Sequence, residues 1–363
     1  MSAARVRCAL MRGGTSKGLV FLASDLPNDP AVRDDLLLRL MGSPDPRQID
    51  GLGGAHPLTS KVGIVSPAAE DGVDVDYLFL QVNVAEPVVS SSQTCGNILA
   101  AVGPFAVERG LVPAQDGVTD VRVRMTNNAT IATVRVSTPQ RVVTYDGDVR
   151  ASGVPGTAAP VTISIEGPTG NLFPTGSVRD ELAGLTVTCV DNGMPTVIVR
   201  AADLGRTGDE SPEELEGDEE LVRRVHELRV AAVHAMDLSL EVETSTVPKI
   251  VLVSPPLSGG AISTRSFIPV RVHQAVGVLG AASIAAAAAA PGTVAHDVAE
   301  HQRPGEAVRI EHPTGFLDVS VGMDDAVEGH LPTASTTSVV RSARLLMDGL
   351  AHPGPPRTVE PPT

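Results

Sequence analysis

Two apolar stretches built from small side chains constrain this chain most. One is Ile98 to Ala106, opened by the polar cluster Gln93-Thr94-Cys95-Gly96-Asn97; the other is Ala275 to Ala290. The second is short for a membrane span and is dominated by Ala and Gly. Small side chains let strands approach closely, so both stretches read as helices buried inside domains. The spacing predicts a helix over Cys95 to Arg109, stopped by Gly110, and another over His273 to Ala290, stopped by Pro291-Gly292. Around them run short β-branched segments: Val62 to Val65, Val73 to Val84, Val121 to Met125, Ala132 to Val136, Val161 to Ile165, Leu185 to Val190, Val197 to Val199, Ile250 to Val253 and Val308 to Ile310. Several alternate polar and apolar residues, as half-buried strands do. Two further helices are expected, Asp29 to Met41 and Pro212 to Leu238, the latter acidic first and basic later. Each half thus has many strands and then one apolar helix. The expected fold is α+β, with two pseudo-symmetric domains over residues 1–184 and 185–350. Each would be a curved, mostly antiparallel sheet wrapped round a central helix, with both helix N-termini facing a cleft between the domains. Residues 351–363 read as a disordered Pro-rich tail.

At 363 residues the chain is too long for one typical core, which fits two domains. With two Tyr, six Phe and no Trp, the core must be built from Val, Leu, Ile and Ala, and little is left to stack on bases. The net charge of −15 also argues against nucleic acid or an anionic membrane as partner. An anionic substrate would have to be held by local positive groups. Cys8, Cys95 and Cys189 form no metal-ligand spacing and read as free thiols of a reducing compartment. Met1-Ser2-Ala3-Ala4-Arg5 runs directly into a strand pattern, so no signal peptide and a cytoplasmic location are expected. The nine His form no His-x-x-x-His pair, and neither Gly-x-Gly-x-x-Gly nor Gly-x-Ser-x-Gly follows a strand. Metal and cofactor chemistry lose support, and a homodimer is compatible with the pattern.

Four segments combine residues that can carry chemistry. The start of a helix has unpaired backbone N–H groups with partial positive charge, so Gln93 to Asn97 reads as an anion site beside a thiol, or as an ordinary capped core helix. Arg12-Gly13-Gly14-Thr15-Ser16-Lys17-Gly18 offers flexible backbone, two hydroxyls and a Lys to a carboxylate, or simply turns between strands. Lys61 follows a long Gly-rich loop and stands at the mouth of a buried strand. Partial burial there would leave some of the amine neutral and able to take a proton from carbon; the alternative is a surface Lys. In the second half, Asn192 and the Gly193 backbone could donate to a carboxylate and Arg265 could clamp one at two points, against plain turn chemistry. Lys249, at the mouth of another apolar strand, reads as structural more often than catalytic.

Met11 to Gly18, Leu58-Thr59-Ser60-Lys61-Val62 and Gln93 to Leu99 resemble the motifs of a known family. That family contains 2-methylaconitate cis–trans isomerase and 4-oxalomesaconate tautomerase, within the diaminopimelate-epimerase-like fold. The match runs in order from about Arg5 to Gly349. Met41 to Gly51, Cys95 to Ala106, Asp191 to Pro195 and Thr264 to Pro269 look most like the oxalomesaconate branch. The resemblance implies a cofactor-independent isomerase of an unsaturated di- or tricarboxylic acid. Lys61 would be the proton carrier, with Cys95 and Ser43 as further catalytic candidates. Gly14, Thr15, Ser16, Gln93, Gly96, Asn97, Asn192, Gly193, Met194 and Arg265 would bind substrate. Epimerases of this fold place a second thiol at the start of the second helix. Here His273-Gln274-Ala275-Val276-Gly277 has none, so two-thiol racemisation is not expected.

Overall fold

The structure is a computed structural model, and it describes residues 5–166, 171–243, 245–268, 271–300, 306–324 and 331–355. The first half contains β1 (Val6–Gly13), β2 (Ser16–Leu22), α1 (Pro30–Met41), β3 (Lys61–Pro67), β4 (Val75–Val82), β5 (Val89–Ser90), α2 (Gly96–Glu108), β6 (Gly117–Met125), β7 (Thr130–Thr138) and β8 (Pro160–Glu166). The second contains β9 (Asp180–Leu182), β10 (Leu185–Asp191), β11 (Pro195–Arg200), α3 (Pro212–Glu216), α4 (Glu219–Ala235), β12 (Lys249–Ser254), β13 (Ile262–Ile268), β14 (Arg271–Val272), α5 (Val278–Ala289), α6 (Val294–Val298), β15 (Val308–His312), β16 (Gly315–Asp324) and β17 (Thr333–Ala351).

The two halves repeat one pairing pattern. β1 and β2 form an antiparallel hairpin, β2 lies parallel to β3, β3 antiparallel to β4, and β4 parallel to β6. In the same sequence, β10 and β11 form a hairpin, β11 lies parallel to β12, β12 antiparallel to β13, and β13 parallel to β15. The pseudo-symmetric α+β architecture expected from the sequence is therefore the one observed. The central helices fill the wrapped sheets because their side chains are small: every residue from Gly96 to Ala106 is buried, as are most of α5. Their apolar faces and the inner faces of both sheets share one core. On the outside, α1 covers β1 to β4, and α3 with α4 covers β10 to β13.

The long strand β17 distinguishes the halves. Its first part pairs with β16 and β8, and its last part, from Ala343 to Ala351, pairs with β1. It thereby closes the first lobe's sheet into a barrel around α2 while also serving the second lobe. The expected boundary at 184/185 falls in the turn of the β9–β10 hairpin, whose two strands pair with each other, and β17 pairs with strands on both sides of it. Of the expected tail, Ala351 ends β17 and Gly354 O accepts from Arg39 at 2.9 Å, while 356–363 lie outside the described residues.

Local signals explain most element ends. Asp29 accepts from Ala31 and Val32 N–H to cap α1, and Gly42 ends it in the left-handed region. The single helix expected over Pro212 to Leu238 is two: α3 ends at Gly217, and Asp218 caps a new start by accepting from Leu221 N–H. α5 begins at Val278, five residues later than expected, because His273 to Gly277 form its approach. Among the described residues no helix is long and apolar enough to cross a membrane.

Candidate active site

A cavity of about 530 Å³ lies between the lobes. The first lobe supplies Ser16, Lys61, Gln81 and the run Gln93 to Asn97; the second supplies Met194, Lys249, Ser266, His273 and the run Val276 to Gly280. Both central helices point their N-termini into it. Cys95 is the N-cap of α2 and Gly277 that of α5, and neither start has a side-chain cap. The first-turn N–H groups of both helices are thus left to a ligand. The two starts touch: a Cβ on Gly96 would come within 2.6 Å of the Val278 side chain, so only Gly lets the helices approach this closely. Gln93 Oε1 accepts from Thr246 Oγ1 at 3.0 Å, which ties the lobes at the rim.

Lys61 opens β3 and is only 7% exposed. Its Nζ donates to Gln81 Oε1 at 2.8 Å and lies 5.0 Å from the centre of the Phe79 ring. Gln81 stands directly opposite Lys61 in the β3–β4 register, and its amide donates to Pro57 O and Ser60 O. The ammonium or amine is therefore held in one place by a side chain that is itself held. Cys95 is half-buried, whereas Cys8 and Cys189 are fully buried, with thiols pushed up to about 11 and about 12 by burial. Cys95 is accordingly the accessible thiol of the three, and it faces the cavity.

The sequence-expected binders divide into two groups. Ser16, Gln93, Gly96, Asn97 and Met194 line the cavity with Lys61 and Cys95. Ser16 Oγ is buried without a partner, as is Asn97 Oδ1. The Gly14–Thr15 turn supports them from behind: Asn97 Nδ2 donates to Thr15 Oγ1 at 3.2 Å, and Gly14, at φ +50°, packs where a Cβ would meet Asn97 Oδ1 at 2.2 Å.

Ser43, Asn192, Gly193 and Arg265 are not in the cavity wall. Ser43 Oγ accepts from Gln48 Nε2 at 2.9 Å, and Gln48 Oε1 accepts from Ser60 Oγ at 2.7 Å, so Ser43 braces the residue before Lys61. Asn192 donates to Thr337 Oγ1 at 2.7 Å and Ala282 O at 3.2 Å, fastening the β10–β11 turn to α5 and β17. Gly193 supplies the positive φ of that turn, and its N–H goes to Asp191, whose carboxyl is pushed up to about 6 by burial. Arg265 lies on β13 beside Ser266, whose side chain takes the opposite face by strand alternation. Its Nε donates to Glu210 O at 2.7 Å and its Nη1 to Thr264 O at 3.0 Å. The expected two-point carboxylate clamp is instead a backbone clamp, because the guanidinium sits on the strand face turned away from the cavity.

Lys249 is the residue that sequence reasoning undervalues. It opens β12, is 8% exposed, lines the cavity, and its Nζ has no hydrogen-bond partner. Burial, then Arg229 and Lys61, hold it down at about 7. A signal is present: Lys249 precedes Ile250-Val251-Leu252-Val253 as Lys61 precedes Val62-Gly63-Ile64-Val65. His273 also lines the cavity and is pushed down to about 3 by burial and by the two lysines, so it is neutral there. Its Nδ1 accepts from Ala275 N–H at 2.9 Å. Among the described residues no three His, Cys, Asp or Glu side chains cluster as metal ligands would.

The sequence profile of the family described as PrpF protein matches residues 3–352. The chain is 49% identical over 348 residues to a (4E)-oxalomesaconate Delta-isomerase of Novosphingobium sp. (strain KA1), covering 94% of this chain and 96% of that protein. It is 47% identical over 359 residues to a 4-oxalomesaconate tautomerase of Pseudomonas putida, covering 96% of each. Its structure superposes on the crystal structure of a methylitaconate-delta-isomerase with a TM-score of 0.81 at 32% identity, covering 97% of this chain and 96% of that one.

Proposed function

Because the chain belongs to the PrpF family, we propose that it is an isomerase that shifts a proton on an unsaturated tricarboxylic acid, with 4-oxalomesaconate as the preferred substrate. The observation that carries this reading is the charge of the cavity. A protein of net charge −15 gathers two buried lysines and two uncapped helix starts around one cavity. Each helix start contributes roughly half a positive charge. That arrangement suits a small polyanion and no other ligand class as well.

The chemistry follows from the substrate. A proton between a keto group and a conjugated double bond is acidic, because its removal leaves a dienolate delocalised over the carbonyl and the carboxylates. Lys61 removes that proton: its amine is fixed by Gln81 and shielded from water by burial. The helix N–H groups and Ser16 Oγ stabilise the charge that develops, which is commonly the largest contribution to such catalysis. The proton then returns at another atom of the conjugated system, as enol or as shifted alkene. Atoms and charge balance without any added group. Cys95 lines the site with its thiol and forms the cap of α2.

A direct ultraviolet assay with 4-oxalomesaconate and with 2-methylaconitate tests the reading. Conversion of the first at a kcat/KM well above that of the second is expected. Preference for 2-methylaconitate would move the chain to the other branch of its family. Binding of both without turnover would make it an organic-acid binding protein.

A further inference from the structure

Removing a proton from carbon puts negative charge on an oxygen of the substrate, and one ring in the cavity wall is set to meet it. His273 lies one step beyond the Phe267–Val272 pair of the β13–β14 hairpin, and its backbone N–H donates to Ser266 O at 2.8 Å. β13 in turn runs beside β12, in the register that sets Ile250 against Phe267 and so brings Ile268 opposite Lys249. Ser266, Ile268 and Lys249 line the cavity, and His273 lines it with them on the second-lobe side, with Lys61 on the first. The chain beyond the ring is fixed as well, since Gln274 O accepts from Thr314 Oγ1 at 2.8 Å. The half-buried imidazole is therefore held in place at the approach to α5.

One hydrogen bond decides the state of this ring. Its Nδ1 accepts from Ala275 N–H at 2.9 Å. A ring nitrogen that accepts carries no proton, so the neutral imidazole bears its proton on Nε2, and an imidazolium would set two N–H groups against each other. The charged and titratable groups around the ring act in the same direction. Lys61 on β3, Lys249 on β12, His312 on β15 and Arg341 on β17 all oppose a second proton, and no carboxylate is among them. Together with burial they hold the ring down at about 3. Among the described residues the bond from Ala275 is the only one the ring makes, which leaves Nε2–H without a protein partner.

We infer that His273 is an electrophilic catalytic residue of the isomerisation, a neutral imidazole that donates a hydrogen bond from Nε2–H to the substrate oxygen on which the dienolate charge gathers; this rests on the isomerase reading above. As the C–H bond breaks, its proton forms an N–H bond on the base, and its electron pair moves through the conjugated system towards that oxygen. The hydrogen bond from Nε2–H strengthens as the charge grows, and the ring keeps its proton throughout. When a proton returns at another atom of the substrate, the charge leaves the oxygen and the hydrogen bond relaxes. His273 gains and loses no proton, so it needs no resetting between turnovers. An imidazolium in its place would already grip the carboxylates of the ground state. The neutral donor responds to charge that appears only on the way to the dienolate, and contacts of that kind raise kcat.

The test compares His273→Asn and His273→Gln with the parent, reading kcat and KM separately. The Asn amide can still accept from Ala275 N–H but ends short of the Nε2 position, whereas the Gln amide carries a neutral N–H donor out to it. Calorimetric binding of the unreactive propane-1,2,3-tricarboxylate checks that each variant is folded and keeps its site. His273→Asn should lower kcat about 10²–10³-fold, the usual cost of one lost donor to a developing oxyanion, with KM within a few-fold. His273→Gln should recover most of that loss. A parent-like kcat in His273→Asn, a change confined to KM, or a Gln variant no better than the Asn variant would overturn the proposal. Nitrogen-15 NMR of the histidine rings, with His273 identified by its absence from a variant, tests the state of the ring without any substrate. The expected spectrum is a neutral ring protonated on Nε2 at pH 6; an imidazolium there, or a proton on Nδ1, would also overturn it. Failure of the isomerase reading looks different: the parent itself would turn over neither tricarboxylate, and the catalytic role would fall with it while the ring's NMR state stood.

Discussion

The two lobes share a frame and differ in what the frame presents to the cleft. In the first, a lysine at the mouth of a strand is gripped by Gln81 and Phe79, and the neighbouring helix starts on a thiol, Cys95. In the second, the equivalent lysine faces Ile268 and Ser266, and the helix starts on Gly277. Repetition thus supplies the geometry: two amines and two helix N-termini converging on one cavity. Divergence changes what holds each amine: a side-chain acceptor and an aromatic ring in the first lobe, an aliphatic side chain and a small hydroxyl in the second. The first lobe is also a closed barrel, since the end of β17 pairs with β1 and its earlier part with β8.

Breaking the first lobe should have the largest effect. Lys61→Ala removes the fixed amine, and turnover should fall about 10²–10⁴-fold with the fold intact; activity within a few-fold of the parent would take the proton transfer away from Lys61. The difference between the lobes is sharpened by making them alike. Ile268→Gln places an acceptor opposite Lys249, as Gln81 stands opposite Lys61. A hydrogen bond to the ammonium should raise the proton affinity of Lys249 roughly tenfold. Titration of the Lys249 amine followed by NMR should show its midpoint move upward. An unmoved midpoint would show that residue 268 does not face the amine.

Protein stability should report the same contrast. Lys249 titrates at about 7 when folded and near the ordinary lysine value of 10.5 when unfolded. Below pH 7 both states carry the charge, and the folded state bears the full penalty of burying it. Between pH 7 and 10.5 the unfolded chain holds the extra proton, so stability rises with pH and the penalty disappears at the top of that window. Lys249→Met should therefore stabilise the protein at pH 6 by up to a few kcal/mol, since each tenfold change in proton affinity is worth about 1.36 kcal/mol. The gain should shrink towards pH 10.5. Melting curves across this range check the sign.

How far this is legible in the sequence depends on the range of the interactions involved. Strands with β-branched alternation and the helix boundaries at Asp29-Pro30 and Gly110 are readable because they are local. β16 and β17 do not stand out: β17 carries apolar residues at exposed as well as buried positions, Val340, Leu346 and Leu350 among the exposed, and it is defined by partners far away in sequence, β1 and β8. The site divides in the same way. The Gln93 to Asn97 helix start can be found because a helix cap is a local feature, and Lys61 stands out because a motif resemblance adds to its strand-mouth position. Arg265 misleads, because a residue's strand face is fixed by register and not by its neighbours in sequence. Lys249 ranks low in the sequence because its importance lies in correspondence with Lys61, which becomes plain only when the two lobes are superposed.

The smallest effects should come from groups near the site that the chemistry does not need. Cys95→Ser should keep activity within a few-fold, since serine caps a helix well and one-amine chemistry at this end needs no thiol. Complete loss of turnover with normal binding would make the thiol essential. Arg265→Ala should change KM by no more than a few-fold, because its guanidinium is committed to Glu210 O and Thr264 O.

The most direct measurement is a crystal structure with propane-1,2,3-tricarboxylate bound. The expected ligand lies between the lobes, with carboxylate oxygens about 2.8–3.0 Å from the first-turn N–H groups of both central helices and its carbon chain between the Lys61 and Lys249 amines. A ligand held by first-lobe groups alone, with Lys249 and the start of α5 out of reach, would contradict a site shared by the two lobes.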